Sequence, residues 1–153
     1  MRRDPIYAAL TSELQNALVN VDPYDVQVVS RGFVMWEAAD QQPAIYISPE
    51  TEEAKYQRGL PTKWVIKCSL WVYVRWVDSI EQGVTALAQL MDGIDATLSP
   101  VGVNAGPLGD NGYVNTLGGL VTYCALSGAG EVNGGFLNQN QAIARMPVEI
   151  MVA

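Results

Sequence analysis

WVIKCSLWVYVRWV, residues 64–77, alternates as a strand over fourteen residues. Successive side chains of a strand take opposite faces, so Trp64, Ile66, Cys68, Leu70, Val72, Val74 and Trp76 share one side. That side is apolar without interruption and belongs in a core. The opposite side carries Val65, Lys67, Ser69, Trp71, Tyr73, Arg75 and Val77, aromatic bodies mixed with cationic tips, which suits a surface that another protein covers. At ~3.3 Å per residue the segment reaches about 45 Å, longer than most strands, so part of it is expected to project beyond its own domain.

Working outward, 153 residues with 49% hydrophobic content support one domain, residues 1–153, with a real core. Nine Lys and Arg against sixteen Asp and Glu give a net charge of -7, and no basic cluster offers itself to phosphates, which argues against specific nucleic-acid binding. No apolar run approaches the ~20 residues that span a bilayer, and no apolar segment follows Met1-Arg2-Arg3 as a secretory signal requires. The expected location is the cytoplasm in which the chain is made. Histidine is absent, which excludes Ser-His-Asp and Cys-His nucleophiles and His-ligated metals, and two cysteines alone cannot complete a zinc site. Cys68 and Cys124 read as buried reduced thiols, with a disulfide open to them only if their strands are neighbours.

Asp4 and Pro5 open an amphipathic helix, Asp4 as its cap, with Ile6, Leu10, Leu14, Ala17 and Leu18 on one face. A turn at residues 22–25 precedes a strand over 26–33, with Val26, Val28 and Ser30 on one face; a break at Pro43 precedes a short strand over 44–48. Residues 49–61, PETEEAKYQRGLP, read as a long exposed loop. After the long strand, Asp78-Ser79 caps a helix over 80–98 with Ser79 and Gln82 at capping-box spacing, Val84, Leu87, Leu90, Met91, Ile94 and Leu98 as its apolar stripe, and Gly83 and Gly93 as weak points. A Gly, Pro and Asn loop spans 100–112, strand character returns over 113–127 with a bend at Gly118-Gly119, a loop over 128–135 includes the hairpin dipeptide Asn133-Gly134, and residues 141–152 form a last strand. Pro147 cannot donate to a ladder, which places that strand at an edge or on a bulge. Two helices and about five strands predict an α+β fold: a single mixed sheet of four to five strands, both helices on one face, the last two strands antiparallel.

The chemical survey is sparse. Asp92 and Asp95 resemble a carboxylate pair but read better as a solvated helix face, and Asp110-Asn111-Gly112 reads as a turn because it lacks the spaced carboxylates of a calcium loop. Gly102, Gly106 and Gly109 follow a helix, whereas nucleotide-binding glycines follow a strand. Gly128-Ala129-Gly130 beside Ser127 makes no G-x-S-x-G motif. The chain is read as no enzyme and as needing no cofactor. Trp36 and Tyr46 read as core or sheet-surface residues. Trp71 and Tyr73, sharing their side with Lys67 and Arg75, fit either sheet packing or a protein contact, since aromatic and Arg side chains are enriched at interfaces.

Several segments together resemble the tail terminator family of long-tailed phages, the group of the lambda minor tail protein U. They are Arg2 with Asp4-Pro5-Ile6-Tyr7, Pro61-Thr62-Lys63-Trp64 leading to Leu70, Val72 and Tyr73, the run Asn115-Thr116-Leu117-Gly118-Gly119-Leu120-Val121, and Met146-Pro147-Val148-Glu149-Ile150. The resemblance implies a small α+β structural protein that forms a homo-hexameric ring on the end of the tail tube, stops its polymerisation and presents a joining surface to the head-tail connector or head completion protein. It implies assembly in the host cytoplasm and residence in the virion. A ring needs two different patches that meet, and Lys67, Trp71, Tyr73 and Arg75 are the candidate contact residues. Glu50, Glu52 and Glu53 are candidates to face the DNA channel, where negative charge limits sticking. The alternatives are another neck, tail-completion or tube protein and, from a different class, a small-molecule binding domain.

Overall fold

The computed structural model describes residues 1–98, 115–133 and 140–152. The elements run α1 (Arg3–Leu18), β1 (Val28–Arg31), a 3-10 turn (Trp36–Ala38), β2 (Ala44–Lys55), β3 (Lys63–Arg75), α2 (Ile80–Leu98), β4 (Tyr123–Leu126), β5 (Glu131–Asn133) and β6 (Gln141–Val152). This is the expected α+β fold. The strands form one mixed sheet in the order β1-β2-β3-β6-β4, with β5 also on β6, and only β1 and β2 are parallel. The sixth strand, β5, lies where a loop is expected.

β3 and β6 are the spine, paired over their whole lengths from Trp64↔Val152 to Arg75↔Gln141. Their inner side chains, Ile66, Cys68, Leu70, Val72 and Val74 facing Ala144, Val148 and Ile150, make one core with Leu10, Leu14 and Leu18 of α1 and Leu87, Leu90, Ile94 and Leu98 of α2. The alternation read for β3 therefore holds on its apolar side.

Several local expectations are corrected. Asp4 is not a cap: the helix begins at Arg3, Arg2 holds the cap position without a side-chain bond, and Asp4 accepts from Arg31 at 2.6 Å. In β1 the core side chain is Val29, joined by Val26, while Val28 and Ser30 take the other side. β2 runs on to Lys55, so residues 49–55 are not a loop but the second half of a strand paired to β3, with a bulge between Pro49 and Thr51. Val84 is exposed. Gly83 takes the inward position one residue earlier, because the ring of Trp76 lies where a Cβ would stand. Pro147 sits in a central strand, in the gap between the partners of β6: β4 stops at Val148 and β5 starts at Arg145. The Pro147 carbonyl still accepts from Ser127 N–H at 3.0 Å. Half of the α2 capping box forms as expected, Gln82 N–H donating to Ser79 Oγ at 3.3 Å, while Gln82 Oε1 reaches one residue farther back and accepts from Asp78 N–H at 3.3 Å. The glycine loop with Asp110-Asn111-Gly112, and Gly134 of the hairpin dipeptide, lie outside the described residues.

Candidate assembly surface

The second side of β3 divides into two halves. Toward its C-terminal end, the chain between β1 and β2 folds back over the sheet, and a small second core forms from Ala39, Ala44, Tyr46, Tyr73 and Ile143, with Val28, Val34 and Trp71 packed around it. Tyr73 is only 1% exposed and donates its hydroxyl proton to the Val34 carbonyl at 2.6 Å. Of the two readings of Tyr73 the packing one holds and its place as a candidate contact residue is corrected: Val34 and Ala39 of this same chain cover it. Trp71 is half-buried and meets the exposed Phe33 ring edge-on at 5.1 Å. Lys67 and Arg75 remain exposed. The four residues thus share a side without forming one open patch, because Tyr73 interrupts it.

Toward the N-terminal end the same side is polar. Lys67 stands opposite Glu149, and Trp71 opposite Arg145. Glu50, pushed out at the bulge, accepts from the Ser69 hydroxyl and lies 3.7 Å from Arg145 Nε. Glu149 accepts from Tyr123 Oη at 3.0 Å. Glu52 points the other way, toward the helices, where Arg3 Nε reaches both its oxygens at 3.0 and 2.8 Å. The Arg3 guanidinium also stacks over Trp64, 5.1 Å from the ring centre. The three acids are therefore not one free acidic loop: Glu50 and Glu52 are paired on opposite faces, and Glu53 is exposed opposite Val65. Pairing of this kind at half-exposed sites is worth ~0–1 kcal/mol each, so it positions the strand more than it stabilises it.

The interior offers protonated groups. Burial first, and Glu50 second, pushes the Cys68 thiol up to about 12, and burial does the same to Cys124, with Cys68 and Glu13 adding to it. At neutral pH neither is a thiolate, the form that attacks or binds metal. β6 lies between their strands, and both cysteines are free. Burial likewise pushes Tyr7 and Tyr73 up to about 12. Among the described residues no group of three His, Cys, Asp or Glu side chains comes together around a metal-sized point, and no helix is long and apolar enough to cross a membrane. Asp92 and Asp95 are exposed on α2. A cleft between α2 and β6, about 240 Å³ and lined by residues including Met91, Leu126, Arg145 and Met146, is smaller than the ~300–1,000 Å³ usual for a ligand site.

Sequence reasoning missed the exposed apolar groups at the ends of the sheet. Tyr56 and Leu60 stand at the tip of the β2–β3 hairpin, and Val77, Ile80 and Val84 stand around the start of α2. Helical periodicity hides the last two, since positions 80 and 84 continue the spacing of the buried stripe. The chain matches no protein-family model and no curated protein.

Proposed function

We propose that this chain is a phage structural protein of the tail-terminator kind, which forms a homomeric ring on the tail tube, stops tube growth and offers the head-proximal joining surface. The observation that carries the reading is the set of large apolar side chains left in water at the two ends of the sheet, in a domain whose thiols are buried and protonated. Large contiguous apolar patches on a protein surface mark interaction sites. The spread of the resemblance, from the first turn of α1 through β3 to the middle of β6, adds support. On this reading Trp71 with Phe33, flanked by Lys67 and Arg75, contributes to a subunit or tube contact, and the channel role narrows to Glu53.

The test is negative-stain imaging and light-scattering mass of the purified protein, with and without preformed tail tubes. Single rings that cap tube ends and halt elongation are expected. Stacked rings from the protein alone would make it a tube protein, and indifference to tubes would overturn the proposal.

A further inference from the structure

The two apolar ends of the sheet differ in charge. Residues 55–63 at the hairpin tip hold Lys55, Arg58 and Lys63, three of the chain's nine cations and none of its sixteen acids, with Tyr56 74% and Leu60 50% exposed between them. Residues 76–98 hold Asp78, Glu81, Asp92 and Asp95 and no cation, with the exposed Arg75 immediately before them. Within that segment Val77 is 85% and Ile80 58% exposed, beside the acids Asp78 and Glu81, which are themselves exposed. An open groove of about 420 Å³, lined by Ser79, Glu81, Gln82, Thr85, Ala86 and Gln89, runs along the same helix.

These surfaces lie at opposite ends of β3, one before Lys63 and one after Arg75, roughly 40 Å apart at ~3.3 Å per residue. One subunit therefore cannot bring its own tip to its own helix. We infer that the hairpin tip of one copy docks on the start of α2 in a second copy, Tyr56 and Leu60 against Val77 and Ile80, with Arg58 and Lys63 facing Asp78 and Glu81. The two sides are complementary: apolar groups meet apolar groups at the centre, and a predominantly basic tip meets a predominantly acidic helix start at the rim, the usual anatomy of a specific interface. The contact is heterologous, so repetition generates a ring when the rotation closes. It rests on the ring part of the proposed function and does not require a tail tube.

Two experiments test it on the full chain. Under mild oxidation, Leu60→Cys protein mixed with Ile80→Cys protein should form disulfide-linked dimers, and neither alone should do so. Cys68 and Cys124 are buried, so only the introduced thiols react. Separately, Arg58→Glu, which turns a rim attraction into a repulsion, should weaken self-association about tenfold by sedimentation, ~1.4 kcal/mol, and Arg58→Glu mixed with Glu81→Arg should recover it. Self-linking of either single variant to the same extent as the mixture overturns the contact. An oligomer that neither cross-links nor responds to Arg58→Glu overturns the contact and leaves tube capping standing. A protein that is monomeric at every concentration and never cross-links does the same, whereas failure to cap tubes with the cross-link intact overturns only the capping role.

Discussion

Gly93→Ala in the middle of α2 separates two physical effects of opposite sign. Helix propensity alone predicts stabilisation by ~0.8–1.0 kcal/mol, because glycine loses the most backbone freedom on folding. The packing says otherwise. A Cβ at Gly93 would stand 2.5 Å from Tyr24 Cε1, 2.7 Å from Cζ and 3.0 Å from Cδ1, against the ~3.5–4.0 Å of comfortable carbon contact. The Tyr24 ring is half-buried against the core, so it must swing away and give up part of that packing. Overpacking of this kind costs ~1–3 kcal/mol. The net expectation is destabilisation by about 1 kcal/mol, a fall of ~2–4 °C in melting temperature for a domain of this size. Urea unfolding followed by far-UV circular dichroism measures it, and a double-mutant cycle with Tyr24→Ala isolates the cause. Without the ring, Gly93→Ala should turn stabilising by nearly its full propensity. If Gly93→Ala stabilises the wild-type chain, or if its effect is the same with and without Tyr24, the close-approach argument is wrong.

Tyr73→Phe removes the bond to Val34 O and should cost about 1 kcal/mol, with faster amide exchange across residues 33–39 while α1 and α2 keep their protection. Cys68 and Cys124 should resist a thiol reagent at pH 8 in the native state and react fully in urea, because burial holds both near 12. These thiols release protons in the unfolded chain from their ordinary value of 9.0 upward but stay protonated when folded, so their contribution to stability is present below about pH 9 and lost as the pH rises toward 12. Unfolding midpoints should fall across that window, less steeply in the Cys68→Ala, Cys124→Ala protein. Glu52→Gln should lower stability by less than ~1 kcal/mol, with the difference shrinking as salt rises, since Arg3 and Glu52 both remain partly in water.

What was legible in the sequence followed the periods. The alternation of β3 and β6 and the capping box of α2 are short-range signals, and the structure places the strands and the helix over those residues. What depended on long-range pairing was not legible. Residues 49–55 carry Pro49 and three glutamates, a composition that reads as loop. They become strand because the first half of β3 offers them a partner and because β1 pairs β2 only over 44–47, so beyond Ile47 this half of β2 lies at the sheet's edge, where proline, charge and a bulge are tolerated. Pro147 misled for the complementary reason: a proline is excluded from a central strand only where a neighbour asks for its N–H, and here one partner has ended and the next has not begun. The glycines of α2 read as weaknesses and are seats for Trp76 and Tyr24. Nothing near them in sequence announces an aromatic ring arriving from another element.

The same distinction relocates the proposed assembly surface. From β3 alone, the side carrying Trp71, Tyr73 and Arg75 looks open, because a strand pattern reports which residues share a side and not what else in the chain lies over it. Once Val34 and Ala39 pack over Tyr73 and the pairs Glu50 with Arg145 and Glu149 with Tyr123 occupy the other half, that side is broken into separate exposed spots, Lys67, Arg75 and the Trp71–Phe33 pair, and is not one open patch. The inner side is closed by the helices. Among the described residues, large apolar side chains stand in water at the two ends of β3, where the strand passes into a turn or a helix start. Tyr56 and Leu60 at one end and Val77 and Ile80 at the other are the large apolar groups that a fold of this size leaves there in water. Because the ends are chemically different, a contact between them joins unlike patches, which is the geometry a closed ring requires and a two-fold dimer does not.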